Sequence, residues 1–168
     1  VEFRSRPVLT VPCLETETAE IPLAFTIRRA VPADAARLLA FAGPVFNEPE
    51  GKLMIAPGEF QRTVEEQREF IRSHEAEGNL LIAAFAGEEC IGLLSFQCGS
   101  RIRNRHCGEF GMCVAREARG RGVGTALLER LIAWARASSQ IHRVELGVFA
   151  NNPGAIRLYE RLGFEVEG

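Results

Sequence analysis

The sequence predicts an α/β fold built on one sheet of mixed strand orientation. Three observations carry that prediction. Strand-like and helix-like patterns alternate in the order β α α β β β α β α β. Two apolar runs, Leu80 to Ala86 and Cys90 to Gln97, flank Gly87-Glu88-Glu89 as hairpin arms flank their turn. A glycine-rich stretch, Arg119-Gly120-Arg121-Gly122-Val123-Gly124-Thr125, joins the apolar run Phe110 to Val114 to the longest helical pattern.

Taken in order, residues 1–24 show neither period and carry Pro7, Pro12 and Pro22, as an extended arm would. Val8 to Val11 is expected to add a strand there. Phe25-Thr26-Ile27-Arg28 alternates apolar and polar residues, the mark of a half-buried strand. Pro32 suits a first helical turn, and Asp34 to Ala42 reads as a short helix with Leu38, Leu39 and Phe41 apolar. Gly43 to Gly58, rich in Pro and Gly, is expected to break regular structure. Thr63-Val64-Glu65-Glu66 reads as a capping box opening a second helix, which Gly78 and Asn79 end.

Beyond the hairpin, Gly99 to Arg105 holds three arginines and reads as an exposed loop, and Cys107 to Val114 as the next strand. From about Gly122 to Ala137, Val123, Leu127, Leu131 and Trp134 or Ala135 recur at helical spacing. Val144 to Phe149 alternates as a strand. Asn152-Pro153 starts a last helix ending at Gly163, and Phe164-Glu165-Val166 begins one more strand.

Composition narrows the class. At 168 residues the chain can bury a sizeable single core. A net charge of −2 argues against a dedicated nucleic-acid binder, whose domain is usually basic. No apolar run approaches the roughly 20 residues a membrane span needs, and no signal-peptide pattern opens the chain. A cytoplasmic location is therefore expected. The five cysteines, Cys13, Cys90, Cys98, Cys107 and Cys113, form no Cys-x-x-Cys pair, so reduced thiols are expected and no metal is assigned. Lys52 is the only lysine.

The glycine stretch carries the chemistry. Glycines let backbone approach a ligand closely, and a helix start offers unpaired N–H groups with partial positive charge. The two together suit a phosphate or pyrophosphate. A P-loop needs a Gly-Lys pair, and this stretch has no lysine. In a dinucleotide fingerprint the third glycine follows later; here 120, 122 and 124 are followed by Ala126, Leu127 and Leu128. The template Arg/Gln-x-x-Gly-x-Gly/Ala does match.

Downstream stand Glu145-Leu146-Gly147-Val148 and then Asn152-Pro153-Gly154-Ala155-Ile156-Arg157-Leu158-Tyr159-Glu160-Arg161-Leu162-Gly163-Phe164. With the glycine stretch, this pattern resembles the GNAT acyltransferases, which move an acyl group from acyl-CoA to an amine. The resemblance covers about Phe25 to Gly168. It implies a GNAT fold with splayed central strands and about four helices, in a domain from 25 to 168 lacking its last strand, behind an arm over 1–24. It further implies acetyl-CoA as the acyl donor, a primary amine as acceptor and direct attack in a ternary complex, with a homodimer an expectation for the family.

Site residues carry over position by position. The resemblance implies that Met112, Cys113 and Val114 line the pantetheine arm with strand-like hydrogen bonds. Arg119, Gly120, Arg121, Gly122, Val123, Gly124 and Thr125 would hold the pyrophosphate, with N–H groups near Val114 polarising the thioester carbonyl. Asn152 would serve the pantetheine, a helix cap, or both. Tyr159, the only tyrosine, would stand beside the sulfur and protonate the leaving thiolate. Cys113 is not expected to act as a nucleophile. Several relatives carry a Glu where this chain has Gly147, so the base is sought elsewhere. Glu109 ranks first, ahead of Glu145 and His106.

Phe46, Asn47, Glu48, Glu50 and Phe60 are expected to face the acceptor, or to form a solvated loop. The acceptor could be a small molecule, peptide or protein amine; nucleic acid and membrane are not expected partners. A second class of function stays open, a non-catalytic acyl-CoA sensor. The Gly147 position favours it, and retention of Tyr159 favours the enzyme.

Overall fold

The computed structural model describes residues 23–49 and 51–167. The expected strand at Val8 to Val11, Cys13 and Glu50 lie outside the described residues. The strands are β1 (Thr26–Arg29), β2 (Leu80–Ala86), β3 (Glu89–Cys98), β4 (Cys107–Val114) and β5 (Arg143–Glu145). The helices are α1 (Ala35–Phe46), α2 (Val64–Ser73), α3 (Val123–Ala137) and α4 (Pro153–Arg161). The sheet runs in the order β1-β2-β3-β4-β5. Its first three pairings are antiparallel and the β4–β5 pairing is parallel, so the sheet is mixed as the sequence predicts.

β2 is buried on both faces except at its last residue, so helices must cover it from above and below. One cover is α3, whose Leu127, Leu128 and Leu131 are fully buried. Val123 and Leu127 come so close to Gly92 on β3 that a side chain there would collide with them. Trp134 sets its ring edge-on to Phe96, 5.4 Å away. The paired residues Leu94 and Met112, and Phe96 and Phe110, share that face. The opposite face is covered by α1, which packs on β3, with α2 packed against α1.

Local signals explain most boundaries. Thr63 caps α2 as expected: its Oγ1 accepts from the Glu66 N–H at 3.2 Å, and its own N–H donates to Glu66 Oε2 at 2.7 Å. α2 stops at Ser73, before the Gly78-Asn79 signal. Asn152 caps α4 by accepting from the Ala155 N–H at 3.4 Å.

Three expectations need correction. α1 does not stop at Ala42 but runs through Gly43 and Pro44 to Phe46. Leu38, Phe41, Ala42 and Val45 form one buried stripe, and burying Val45 outweighs the hydrogen bond that Pro44 removes. Pro44 itself faces solvent. β5 covers Arg143–Glu145 rather than Val144 to Phe149, because its only described ladder partner, β4, diverges after Glu109. Phe164 to Val166 is not a strand, because among the described residues no strand lies beside it to complete a ladder. Phe164 instead packs its ring on Phe110 and Tyr159.

Asp34, 4% exposed, is the charged anchor of the first connection. It receives two hydrogen bonds of 2.7 Å from Arg28 and one of 2.9 Å from the Val31 N–H. Arg28 also lies 4.3 Å over the Phe85 ring. The Arg28 hydrogen bonds hold the Asp34 carboxyl below the ordinary carboxylate range. Its stabilisation is therefore complete above the unfolded-state pKa and is lost as pH falls through the lower folded value. Asp34→Asn should cost about 2 kcal/mol at pH 7, less than a fully buried pair because Arg28 is 44% exposed. Urea unfolding at pH 7 and pH 3 checks this, with the gap between variant and wild type narrowing at the lower pH.

Candidate active site

The site begins where β4 and β5 part. Their ladder pairs Cys107 with Arg143, Gly108 with Val144 and Glu109 with Glu145, then stops. Beyond that, β4 runs on to Val114 with no strand beside it on that edge among the described residues. On its other edge the Ala115 N–H donates to the Ile91 carbonyl at 3.0 Å. Strand alternation therefore turns the N–H and C=O groups of Phe110, Met112 and Val114 toward the gap. An edge of this kind needs a partner, and an extended amide-bearing ligand can supply one.

The chain then enters the glycine stretch. Gly120 and Gly122 hold φ of +73° and +85°, a conformation that strains any residue with a side chain. Gly122 caps α3 without a side-chain bond, so the N–H groups of the first turn stay open. Space is open around the Cβ positions of both glycines. Leu158 and Met112 stand 3.5 Å from where a Cβ at Gly124 would lie, which sets α4 beside the start of α3.

Strand edge and helix start open into one cavity of about 830 Å³. Of the residues expected to hold the donor, Met112, Cys113, Val114, Arg119, Gly120, Gly122, Gly124, Thr125 and Asn152 line it. Arg121 and Val123 do not; Val123 is buried in the core and roots α3 there. A donor with a diphosphate and an extended pantetheine arm suits this arrangement: amides for the phosphates, a free strand edge for the arm.

The two catalytic candidates are not brought together. Tyr159 is on the α3–α4 face, edge-on to Phe110 at 5.9 Å and to Phe164 at 6.0 Å, and is not among the lining residues. Its burial raises the phenol pKa, so the hydroxyl keeps its proton at neutral pH. Glu109 alternates with Phe110 and so points to the opposite face. It is exposed, and its Oε1 lies 3.9 Å from where a Cβ at Gly147 would stand. The missing side chain at 147 leaves room beside that carboxylate.

The lesser candidates are placed as follows. Glu145 pairs with Arg143, which also pairs with Glu167. His106 sits at the closed end of the gap, where its carbonyl accepts from the His142 N–H at 2.8 Å. The Cys113 thiol is buried and pushed up to about 12 by desolvation, far from the thiolate a nucleophile requires.

Among the described acceptor candidates, Glu48 alone lines the cavity. Phe46 and Phe60 pack ring to ring at 4.6 Å. Asn47 spends its side chain on the Gly43 carbonyl and the Gly58 N–H. Glu48 binds both terminal nitrogens of Arg119, at 2.8 and 2.9 Å. Sequence reasoning missed Val45, Lys52, Leu53, Arg157 and Arg161, all on the cavity wall. Arg157 and Arg161 had a readable signal, since a spacing of four puts both on one helix face. Lys52 had none: it is placed by a 2.7 Å hydrogen bond to the distant Asn151 carbonyl.

The acetyltransferase (GNAT) family model matches residues 48–164. The chain is 36% identical over 88 residues to an L-amino acid N-acetyltransferase of Escherichia coli, covering 52% of this chain. The match spans about half the length of that relative, 54%. It is 28% identical over 145 residues to an L-methionine sulfoximine/L-methionine sulfone acetyltransferase of Pseudomonas paraeruginosa, covering 85% of this chain and 81% of the relative. In structure it resembles a GNAT-family acetyltransferase of Streptococcus pneumoniae, with a TM-score of 0.82, 29% identity and 86% of each chain covered. The family model spans more than half of the chain, and the chain belongs to the GNAT acetyltransferase family.

Proposed function

We propose that this protein transfers the acetyl group of acetyl-CoA to the primary amine of a small carboxylate-bearing acceptor, an α-amino acid in the first instance. The carrying observation is the free edge of β4 running into the open N-terminus of α3 within one cavity. The acceptor class follows from charge. Among the described residues on the cavity wall, Lys52, Arg119, Arg157 and Arg161 face a single carboxylate, Glu48, which Arg119 already neutralises. Such a wall repels a polyamine and attracts an anionic group. The names of the amino-acid-directed relatives support the same class.

Bound acetyl-CoA supplies an activated acyl thioester. The Met112 and Val114 edge would hold its arm, and the amides from Gly120 to Thr125 its diphosphate. Attack requires a neutral amine, because an ammonium has no lone pair. The Glu109 carboxylate is suited to take that proton at Oε1, in the space left open by Gly147. The N–H near Val114 would polarise the carbonyl oxygen. As nitrogen bonds to the acyl carbon and sulfur leaves, Tyr159 Oη holds the proton that the sulfur needs. Direct transfer is supported by the Cys113 thiol on the cavity wall, which burial pushes up to about 12 and so keeps protonated at neutral pH.

CoA-thiol release over a panel of L-amino acids and spermidine tests the whole reading. Release with an amino acid and none with spermidine is expected; CoA binding with no release on any amine would leave a sensor instead. Tyr159→Phe should lower kcat about a hundredfold while CoA affinity stays within about twofold, and Glu109→Gln should lower it comparably. In the wild type, loss of rate through Tyr159 ionisation should begin only above the ordinary phenol range, as kcat measured against pH will show. Iodoacetamide at pH 8 should leave Cys113 unlabelled in the folded protein and label it in urea, read by mass spectrometry.

A further inference from the structure

We infer that Glu48 is a positioning residue that ties the acceptor side of the cavity to the strand edge through Arg119. The inference rests on the acetyl-CoA reading above and concerns how that site is held together. The resemblance makes Arg119 part of a phosphate loop. Its geometry gives it other work.

All three nitrogens of its guanidinium face protein acceptors. Nη1 and Nη2 donate to the two oxygens of Glu48 at 2.9 and 2.8 Å. Nε donates to the Val114 carbonyl at 2.9 Å. That carbonyl lies on the edge of β4 turned toward the gap, where the donor's arm must pair. One planar fork thus sets the last carbonyl of the strand and a carboxylate 71 residues away in sequence. Glu48 is only 13% exposed and has Arg116 as a second cation at 3.8 Å, so it is not a loosely held surface charge.

The segment that bears Glu48 is fastened on the other bank as well. Lys52 donates to the Asn151 carbonyl, in the loop leading from β5 to α4. Glu48 therefore holds the β4 side and Lys52 the β5 side. The two anchors lie four residues apart and straddle the gap that the acyl arm must enter. With Arg119 engaged, the phosphates are left to the backbone amides of the glycine stretch, and Arg119 serves the cofactor by fixing Val114 and Glu48.

A phosphate ligand and a positioning fork respond differently to substitution. A lysine keeps the charge that attracts phosphate but cannot bond Val114 and both Glu48 oxygens at once. CoA binding is measured by calorimetry for wild type, Glu48→Gln, Arg119→Gln, Arg119→Lys and the double variant Glu48→Gln/Arg119→Gln. Each single variant should weaken binding about tenfold, with Arg119→Lys as weak as Arg119→Gln. The double variant should be no weaker than its worse parent, since the two residues act as one unit. Tighter or unchanged binding in Glu48→Gln overturns the inference, as does wild-type binding in Arg119→Lys or a loss of about a hundredfold in the double variant. Failure of the wild type itself to bind CoA would strike the acetyl-CoA reading first and this inference with it, an outcome distinct from any pattern among the variants.

Discussion

The β4–β5 ladder lasts three residues, and β4 then runs on to Val114 with no further strand on that side among the described residues. A backbone edge inside a folded protein needs hydrogen-bond partners from somewhere. Here the Arg119 Nε supplies one, at the Val114 carbonyl, and the cavity leaves the remaining groups to a ligand. The rest of the site is arranged around that gap. The glycine stretch follows the free strand after a short turn and opens α3 on the cavity wall. α4 flanks the gap on one face, and Glu109 stands on the other.

The two faces are built differently. On the α3–α4 face, Phe110, Tyr159 and Phe164 form an aromatic cluster, and the partial burial of Tyr159 there raises its phenol pKa. On the opposite face, Glu109 is solvent-exposed beside the empty side-chain position of Gly147. The proposed acid and the proposed base thus stand on opposite faces of the sheet. Glu48 and Lys52 then close the gap from the α1–α2 side, each through a long-range contact.

Legibility in the sequence follows the range of the forces involved. β2 and β4 match their apolar runs to the residue, because burial on a sheet writes itself directly into a run of apolar side chains. The Thr63–Glu66 box and the Asn152 cap are bonds between residues three apart, and both are present. Pro44 misled because a local penalty was weighed without the buried stripe ending at Val45. The strand over Val144 to Phe149 failed for the opposite reason: its alternation is real, but a strand needs a ladder partner and β4 has already turned away.

The sequence by itself determined the mixed sheet, the helix starts and the glycine stretch that suits a diphosphate, since each rests on contacts between near neighbours or on a backbone conformation only glycine adopts freely. It also named most of the cavity's donor side. Only the tertiary structure decided that Tyr159 and Glu109 lie on opposite faces, that Arg119 answers to Glu48 and Val114, and that Lys52, Arg157 and Arg161 share one wall. Those relations join residues far apart along the chain, and what sets them is the way the sheet and its helices pack, which no short window of sequence encodes.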